Sequence, residues 1–267
     1  MNKILPICLL TLLSLNVFAA PFDGFYAGAG IGGVRGTFNN NITTDASLVF
    51  GGTLQQDIAH NNSPTLSDGS WAGELDLGFG RVFYQSLYLG VEGTGQLENI
   101  SNTNSFQVMP NDTTGITYTR QIKTQLQNEL ALTFNPGIVL HKTTLLYGKI
   151  GPSWGRFSVN DTFNFGELIG PGQQLSGMVN VNDGSSYQCG LRLGLGIEHY
   201  MTKHFSFRLE YLNTNYSTIR SGKTHSAPIL LNGVADPVIA GSTVSSSDHI
   251  SAHSNSVMFD INYHIGA

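Results

Sequence analysis

The sequence has few charges and few cysteines, and its one long apolar run lies at the N-terminus. Of 267 residues, 12% are charged, about half the usual ~25% of soluble globular chains, which argues against an ordinary cytosolic enzyme. A membrane-spanning helix needs about 20 consecutive apolar residues, so the rest of the chain is not a helical membrane protein. Only Cys189 lies beyond the first twenty residues, which excludes an internal disulfide there. A net charge of -5 argues against nucleic-acid binding.

Glycine and aromatic residues are what the chain has in quantity. It contains 32 glycines, 15 phenylalanines and 10 tyrosines. The aromatic content and the low net charge argue against disorder, and the glycines lack the period of three that collagen requires. Many glycines and aromatics with few charges indicate β-structure.

The first nineteen residues have the pattern of a cleaved secretory signal. Lys3 gives a positive start, residues 4–18 are mostly apolar, and Val17 and Ala19 occupy the −3 and −1 positions of a cleavage site. We therefore predict a signal peptide in residues 1–19, cleaved near Ala19, and one exported β-barrel domain in residues 20–267.

Eight segments of the remaining chain place apolar residues at every second position, the pattern of strands with one apolar face. They are residues 25–32, 71–80, 87–94, 126–134, 146–154, 188–198, 205–211 and 257–265. Each is close to the ~9–11 residues that a tilted strand needs to cross a bilayer. The connections between these segments alternate between tight turns and long polar stretches. The tight turns are at 84–86, 141–144 and 200–203, and the long stretches are at 35–70, 99–121, 157–186 and 213–252. This predicts an all-β fold, an eight-stranded antiparallel up-and-down transmembrane β-barrel with four long extracellular loops and short periplasmic turns.

Soluble β-sandwiches and lipocalin-like barrels show the same alternation, with the apolar residues facing a core. Two features favour the membrane barrel. The residues between the apolar positions of the eight segments are rich in glycine, serine and threonine, which suits a narrow lumen. Aromatic residues also gather at both strand ends, where they anchor membrane barrels at the two interfaces. These are Phe25, Phe83, Phe205 and Tyr263 near the short turns, and Trp71, Trp154, Tyr187 and Tyr211 near the long connections.

Two prolines interrupt the predicted strands. Pro136 and Pro152 each lack the N–H that a β-ladder uses. We therefore predict a β-bulge at each of them.

Two segments resemble strands of a known family. Residues 25–32, with the sequence Phe-Tyr-Ala-Gly-Ala-Gly-Ile-Gly, resemble its first strand. Residues 145–151, with the sequence Leu-Leu-Tyr-Gly-Lys-Ile-Gly, resemble its fifth strand. It is the family of small outer-membrane barrels that includes the opacity-type surface antigens and the barrel of outer membrane protein A. The resemblance covers residues 22–267. It implies a Gram-negative cell outer membrane, contact with outer-membrane lipid and lipopolysaccharide, and folding by the barrel-assembly machinery. It also implies a surface protein with a structural or adhesion role, whose extracellular loops contact host or surface ligands. A small pore or carrier for ions or hydrophobic compounds is the alternative.

Ten ionisable residues share the parity that faces the lumen and form the main candidate site. They are Glu74, Asp76, Glu92, Glu129, Lys149, Arg192, Glu198, Arg208, Glu210 and Asp260. Inside an eight-stranded lumen these residues must pair, because a buried unpaired charge is very costly. We predict a structural salt-bridge network that fills a closed lumen, and a gated or ion-conducting path is the alternative.

Other motifs give no catalytic, cofactor-binding or metal site. Residues 28–33 match GxGxxG, but no helical pattern follows, as a dinucleotide fingerprint would require. The eight histidines form no HExxH and no zinc-spaced cluster. The His-x-Ser-Asn element of a barrel lipid A deacylase is incomplete at both His249 and His253. We therefore predict a protein that is not an enzyme, with lipid A chemistry as the least favoured alternative.

Overall fold

The computed structural model describes residues 21–50, 53–108, 117–170, 173–226, 230–231, 234–235 and 243–265. The predicted signal peptide, residues 1–19, lies outside the described residues. Within these ranges the chain forms twelve strands: β1 (Gly24–Phe50), β2 (Thr53–Asn62), β3 (Thr65–Phe83), β4 (Leu87–Val108), β5 (Thr117–Leu140), β6 (Thr144–Gly170), β7 (Gln173–Tyr200), β8 (Phe205–Tyr216), β9 (Ile219–Ser226), β10 (Leu230–Leu231), β11 (Val234–Ala235) and β12 (Thr243–Ile265). The described residues include no helix long and apolar enough to cross a membrane.

Eight of these strands form a closed antiparallel ring. Each strand in the order β1, β3, β4, β5, β6, β7, β8 and β12 is hydrogen-bonded to the next. The ring closes where β12 pairs with β1, from Phe25↔Ile265 to Ser47↔Thr243. Closure removes the exposed strand edges that an open sheet would present. The predicted eight-stranded up-and-down barrel is confirmed.

One rim of the barrel, the turn rim, carries the tight turns between β3 and β4, β5 and β6, and β7 and β8. Two of these turns place paired residues at positive φ without glycine: Tyr84 and Gln85 in one, His141 and Lys142 in the other. Two successive residues at positive φ give the hairpin twist that matches the twist of the flanking strands. The start of β1 and the end of β12 lie at the same rim, because Phe25 pairs with Ile265.

At the opposite rim the strands continue far beyond the segments predicted from alternation. β6 and β7 contain 27 and 28 residues, whereas about 9–11 residues cross a bilayer. They remain paired from Thr144↔His199 to Gly170↔Gln173. The four long connections are therefore built largely of β-ladders: β2 pairs with the far part of β1, and β9 with the far part of β12.

A β-bulge in β5 changes which residues face inward. The register shifts between Leu126 and Asn128, opposite a shift between Leu97 and Ile100 on β4. One extra residue exchanges the two faces of a strand, so Leu126, grouped by its parity with the outward residues, is only 1% exposed and points inward. The prediction of a bulge at Pro136 and at Pro152 is wrong, because the ladder pairs on either side of each proline keep the same register.

Candidate functional site in the barrel interior

The outer face of the barrel changes polarity at one height. Towards the turn rim the outward side chains are exposed apolar residues, among them Leu75, Leu77, Leu132, Leu195, Val257 and Phe259. Beyond Trp71, Trp154 and Tyr211 the outward positions are polar, as at Asn39, Gln121 and Lys123. We call the part of the wall beyond these three aromatics the extension. The lower wall therefore presents a surface for lipid and the extension a surface for water.

The interior is filled by four successive layers, of which the first closes the turn rim. Phe22, Tyr88, Leu145 and Tyr147 form a buried cluster there. The Phe22 ring lies 4.6 Å from the Tyr200 ring in an edge-to-face contact. The backbone N–H of Phe22 donates a hydrogen bond to the Tyr200 hydroxyl at 3.1 Å, which fixes the segment before β1 inside the barrel mouth.

The second layer is charged and centres on Arg208. Its guanidinium contacts Asp76, and it lies 2.6 Å from Glu92, 3.1 Å from Asp260 and 3.3 Å from Glu210. Lys149 Nζ lies 2.6 Å from both Glu92 Oε1 and Glu210 Oε1. Arg208 on β8 and Lys149 on β6 therefore bridge carboxylates of β3, β4, β8 and β12 across the lumen.

Two further groups extend this charged layer. Arg192 lies 2.9 Å from Glu129 and donates a hydrogen bond to Gln96 Oε1 at 2.8 Å. His264 Nε2 lies 2.9 Å from Glu198 Oε1. All ten residues predicted from parity are buried and have an oppositely charged or ionisable neighbour within 4 Å; Glu74 is the most distant, 3.9 Å from Arg208. Sequence reasoning left out His264, although it shares the inward parity of Asp260.

Glycines give the large side chains of this layer room to cross the lumen. A Cβ atom at Gly78 would overlap the Tyr26 ring, and one at Gly196 would overlap the Tyr147 ring. The Tyr26 hydroxyl donates a hydrogen bond to Glu92 Oε2 at 2.7 Å, and the Tyr147 hydroxyl donates one to Glu210. Small residues on one strand therefore face tyrosines on another, as a crowded lumen requires.

The third layer is apolar and lies inside the extension and at its boundary with the lower wall. Its buried members include Val34, Phe38, Ile42, Ile100, Ile122, Leu126, Phe157, Leu212, Tyr216, Ile219, Ile250 and Met258. Phe157 and Tyr216 pack edge to face with their ring centroids 4.9 Å apart. Sequence reasoning missed this layer because most of these residues lie in connections that were read as polar loops. The signal was the alternation of apolar and polar residues through Phe157, Val159 and Phe163.

The fourth layer is an ion-pair cluster around Arg120, which is fully buried. Arg120 lies 2.5 Å from Asp161 and 2.7 Å from Asp248, and it donates to Thr44 Oγ1 at 2.6 Å. The Phe163 ring covers the guanidinium at 4.8 Å, within the range of a cation–π contact. Burial alone would lower the pKa of Arg120, but the hydrogen bonds and charges of the two aspartates raise it above its ordinary value. This cluster joins β1, β5, β6 and β12 and was not predicted.

A surface cavity of about 500 Å³ lies on the outside of the wall where its polarity changes. One row of outward positions across four strands consists of Trp71, Gly33, Val257 and Tyr211. Gly33 leaves a gap in that row because it has no side chain. Arg35 lines the cavity and donates a hydrogen bond to Ser67 Oγ at 2.9 Å. The cavity therefore combines an exposed tryptophan, a tyrosine and one cation.

Comparison with solved structures finds other outer-membrane barrels at low identity. They include the outer membrane protease OmpT from Escherichia coli (10% identity, TM-score 0.37, covering 94% of this chain and 100% of that chain). The outer membrane protein OprG from Pseudomonas aeruginosa has 12% identity and a TM-score of 0.36, covering 92% and 99%. The attachment invasion locus protein Ail of Yersinia pestis has 12% identity and a TM-score of 0.28, covering 88% and 99%. At these values none of their activities is transferred to this chain.

No curated protein matches the sequence. The family model of the outer membrane protein beta-barrel domain matches residues 5–231, which is most of the chain and includes seven of the eight ring strands. The chain therefore belongs to the outer membrane protein beta-barrel family, and its location is the cell outer membrane.

Proposed function

We propose that this protein is a closed, non-conducting surface barrel that binds host or surface ligands through the tips of its extension. The observation that carries the proposal is the filled interior, in which aromatic, charged, apolar and Arg120-centred layers follow one another among the described residues. In this proposal the ten charged residues of the second layer serve structure and not transport.

The pore alternative would require several of these layers to open. Breaking a buried ion pair by displacing one partner costs about 3–5 kcal/mol, and Arg208 alone contacts several carboxylates. The apolar layer adds a second obstacle, since side chains such as Phe38 and Ile250 are fully buried in the path of an ion. A closed lumen therefore accounts for the geometry with fewer rearrangements than a conducting one.

The extension supports the interaction role. β6 continues sixteen residues beyond Trp154, which is roughly 50 Å along the strand at ~3.3 Å per residue. Because short turns face the periplasm in barrels of this family, the extension projects outwards from the cell. Loops held by a rigid scaffold are where binding residues concentrate, and the described part of this scaffold is paired up to its tips.

Planar-bilayer recording and cell adhesion test this proposal together. The purified barrel should give no steady single-channel steps. Bacteria that express it should adhere to immobilised matrix proteins or cultured epithelial cells.

Each tip is then replaced, one at a time, by an Asn-Gly turn placed after one of four ladder pairs: Ala46↔Ile58, Val108↔Tyr118, Asn164↔Met178 or Ser226↔Thr243. At least one trimmed barrel should lose adhesion. Steady conductance, or adhesion unchanged in all four variants, contradicts the proposal.

We also propose that the outer cavity binds the anionic headgroup of lipopolysaccharide. Arg35 supplies a positive charge at the level where lipid headgroups begin, and the exposed ring of Trp71 offers an apolar wall beside it. The Arg35→Ala variant should retain severalfold less lipopolysaccharide after purification. Arg81→Ala, at the turn rim, is the matched control and should retain as much as the unmodified protein. Equal retention by both variants would refute the assignment.

A further inference from the structure

Four oxygen-bearing side chains of the charged layer surround two glycines of β1. They are Asp76 and Asn262 on either side of Gly28, and Glu74 and Asp260 on either side of Gly30. One carboxylate oxygen from each of the three acids lies within 4.8 Å of the other two. The strands β3, β1 and β12 therefore hold a compact set of oxygens at fixed register.

The two glycines are what makes room for this set. A Cβ atom at Gly28 would overlap the side-chain oxygen of Asn262 and would lie 3.5 Å from Asp76 Oδ2. A Cβ atom at Gly30 would overlap Asp260 Oδ1. The oxygens of Asn262 and Asp260 thus occupy the space in front of the β1 backbone that any other residue would fill.

Several of these oxygens have no hydrogen-bond partner among the described residues. They are both oxygens of Glu74, Oδ1 of Asp76, Oδ1 of Asp260 and Oδ1 of Asn262. The four side chains are between 0% and 3% exposed. Buried polar atoms are paired in nearly all native proteins, so five unpaired acceptors on these four neighbouring side chains point to a ligand that supplies positive charge.

The neighbouring Arg208 does not supply enough positive charge for these oxygens. Arg208 contacts the Oδ2 atoms of Asp76 and Asp260, and its Nη2 lies 3.9 Å from Glu74 Oε1, which leaves the Oδ1 atoms of both aspartates free. Across the whole predicted network, seven carboxylates face only one lysine and two arginines. Carboxylate and amide oxygens are the ligands that hard divalent cations prefer, with water filling the remaining positions.

We propose that Glu74, Asp76, Asp260 and Asn262 form a structural site for one hard divalent cation, Ca²⁺ or Mg²⁺. The cation binds while the barrel folds, because the side chains that hold it are buried once the ring has closed. It offsets the excess of negative charge in the lumen and joins β3 to β12 across β1. The site does not depend on whether the tips of the extension bind a ligand.

Metal content of the refolded protein tests the proposal. The protein is refolded from urea into detergent micelles with Ca²⁺, with Mg²⁺ or with EDTA, and then dialysed against metal-free buffer. Mass spectrometry of the metal should find one equivalent per chain after refolding with at least one of the two cations. The same sample should show a higher midpoint of thermal unfolding than the EDTA sample, because a ligand bound only by the folded state stabilises it.

Matched variants separate this site from a general effect of lumen charge. Glu74→Gln should lower the affinity by about tenfold or more, because affinity depends on the number of charged ligands. Glu98→Gln makes the same change at another buried glutamate, on β4, that also has an oxygen without a hydrogen-bond partner among the described residues. This control should keep the metal. Asp260→Asn is the second site variant if Glu74→Gln does not fold.

Heat-modifiable migration on gels shows which samples are folded. A folded unmodified protein that holds neither cation overturns the proposal, and so does equal metal content in Glu74→Gln and Glu98→Gln. In those cases water molecules or shared protons satisfy the oxygens that lack a hydrogen-bond partner among the described residues. Neither result bears on conductance or adhesion, so the closed-barrel proposal stands or falls separately.

Discussion

Replacing Arg120 should loosen the extension while leaving the membrane part of the barrel intact. In Arg120→Met the guanidinium that both Asp161 and Asp248 contact is lost, and two carboxylates remain in a buried place. Breaking a buried ion pair in this way costs about 3–5 kcal/mol. The lost stacking on Phe163 adds about 0.5–2 kcal/mol. For the exchange experiment we use the ion-pair cost alone, about 3–5 kcal/mol, as the smallest expected loss of local stability.

Amide hydrogen exchange followed by mass spectrometry measures this loss region by region. Each 1.4 kcal/mol is a factor of ten in an equilibrium, so peptides from 117–126 and 157–163 should exchange about 100- to several-thousand-fold faster. Peptides from 191–197, in the membrane part of β7, serve as an internal control and should exchange at the unmodified rate. The cluster lies far from that segment along the continuous ladders.

A triple variant, Arg120→Met with Asp161→Asn and Asp248→Asn, tests the physical reason. Removing the charge of every partner avoids the cost of leaving a buried charge without its counterion, so part of the protection should return. If Arg120→Met exchanges like the unmodified protein, the cluster does not stabilise the extension. If the triple variant is as unprotected as the single one, the effect of Arg120 is packing and not charge.

Two other substitutions test the interior. Gly78→Val should prevent folding, because its Cβ would overlap the Tyr26 ring, whereas Gly33→Val should fold, since nothing lies within 4 Å of a Cβ there. Heat-modifiable migration on gels compares the two, and a folded Gly78→Val would refute the assigned packing. Leu126→Ala should lower the free energy of unfolding by about 2–5 kcal/mol, the usual cost of a cavity in a core. Leu130→Ala, on the lipid face of the same strand, should cost clearly less in urea titrations in lipid vesicles, and equal losses would contradict the bulge between them.

The sequence was sufficient to predict the membrane part of the barrel. Strict alternation, as in residues 188–198, determines both the strand and its two faces, and the buried positions of Lys149 and Arg208 follow from parity alone. The partners of these residues did not follow, because they depend on the register of strands that are distant in the chain. Arg208, for example, meets Asp76 across 132 positions of sequence.

The extension could not be predicted for two physical reasons. Its outward residues are polar, and its inward residues include both the apolar third layer and the charged Arg120 cluster. Its average hydropathy therefore resembles that of a loop, although apolar residues recur at every second position at Phe157 and Val159 and again at Phe163. The bulge between Leu126 and Asn128 also reverses parity within one run of residues. No pattern on a single strand reveals such an insertion, because it is defined only against the neighbouring strand.

The long ladders have a mechanical consequence for the adhesion proposed above, when a cell is attached under flow. A force applied at the tip of the β6–β7 hairpin acts along the strands, so it loads the ladders to β5 and β8 in shear. In that direction many hydrogen bonds carry the load at once, and none can open before its neighbours. The β6–β7 ladder continues on both sides of its register shifts at Val159/Asn160 and Leu168/Gly170, so a sideways pull is transmitted through the described wall and turns the barrel as a lever. The sideways load is then taken by the lipid that surrounds the lower wall.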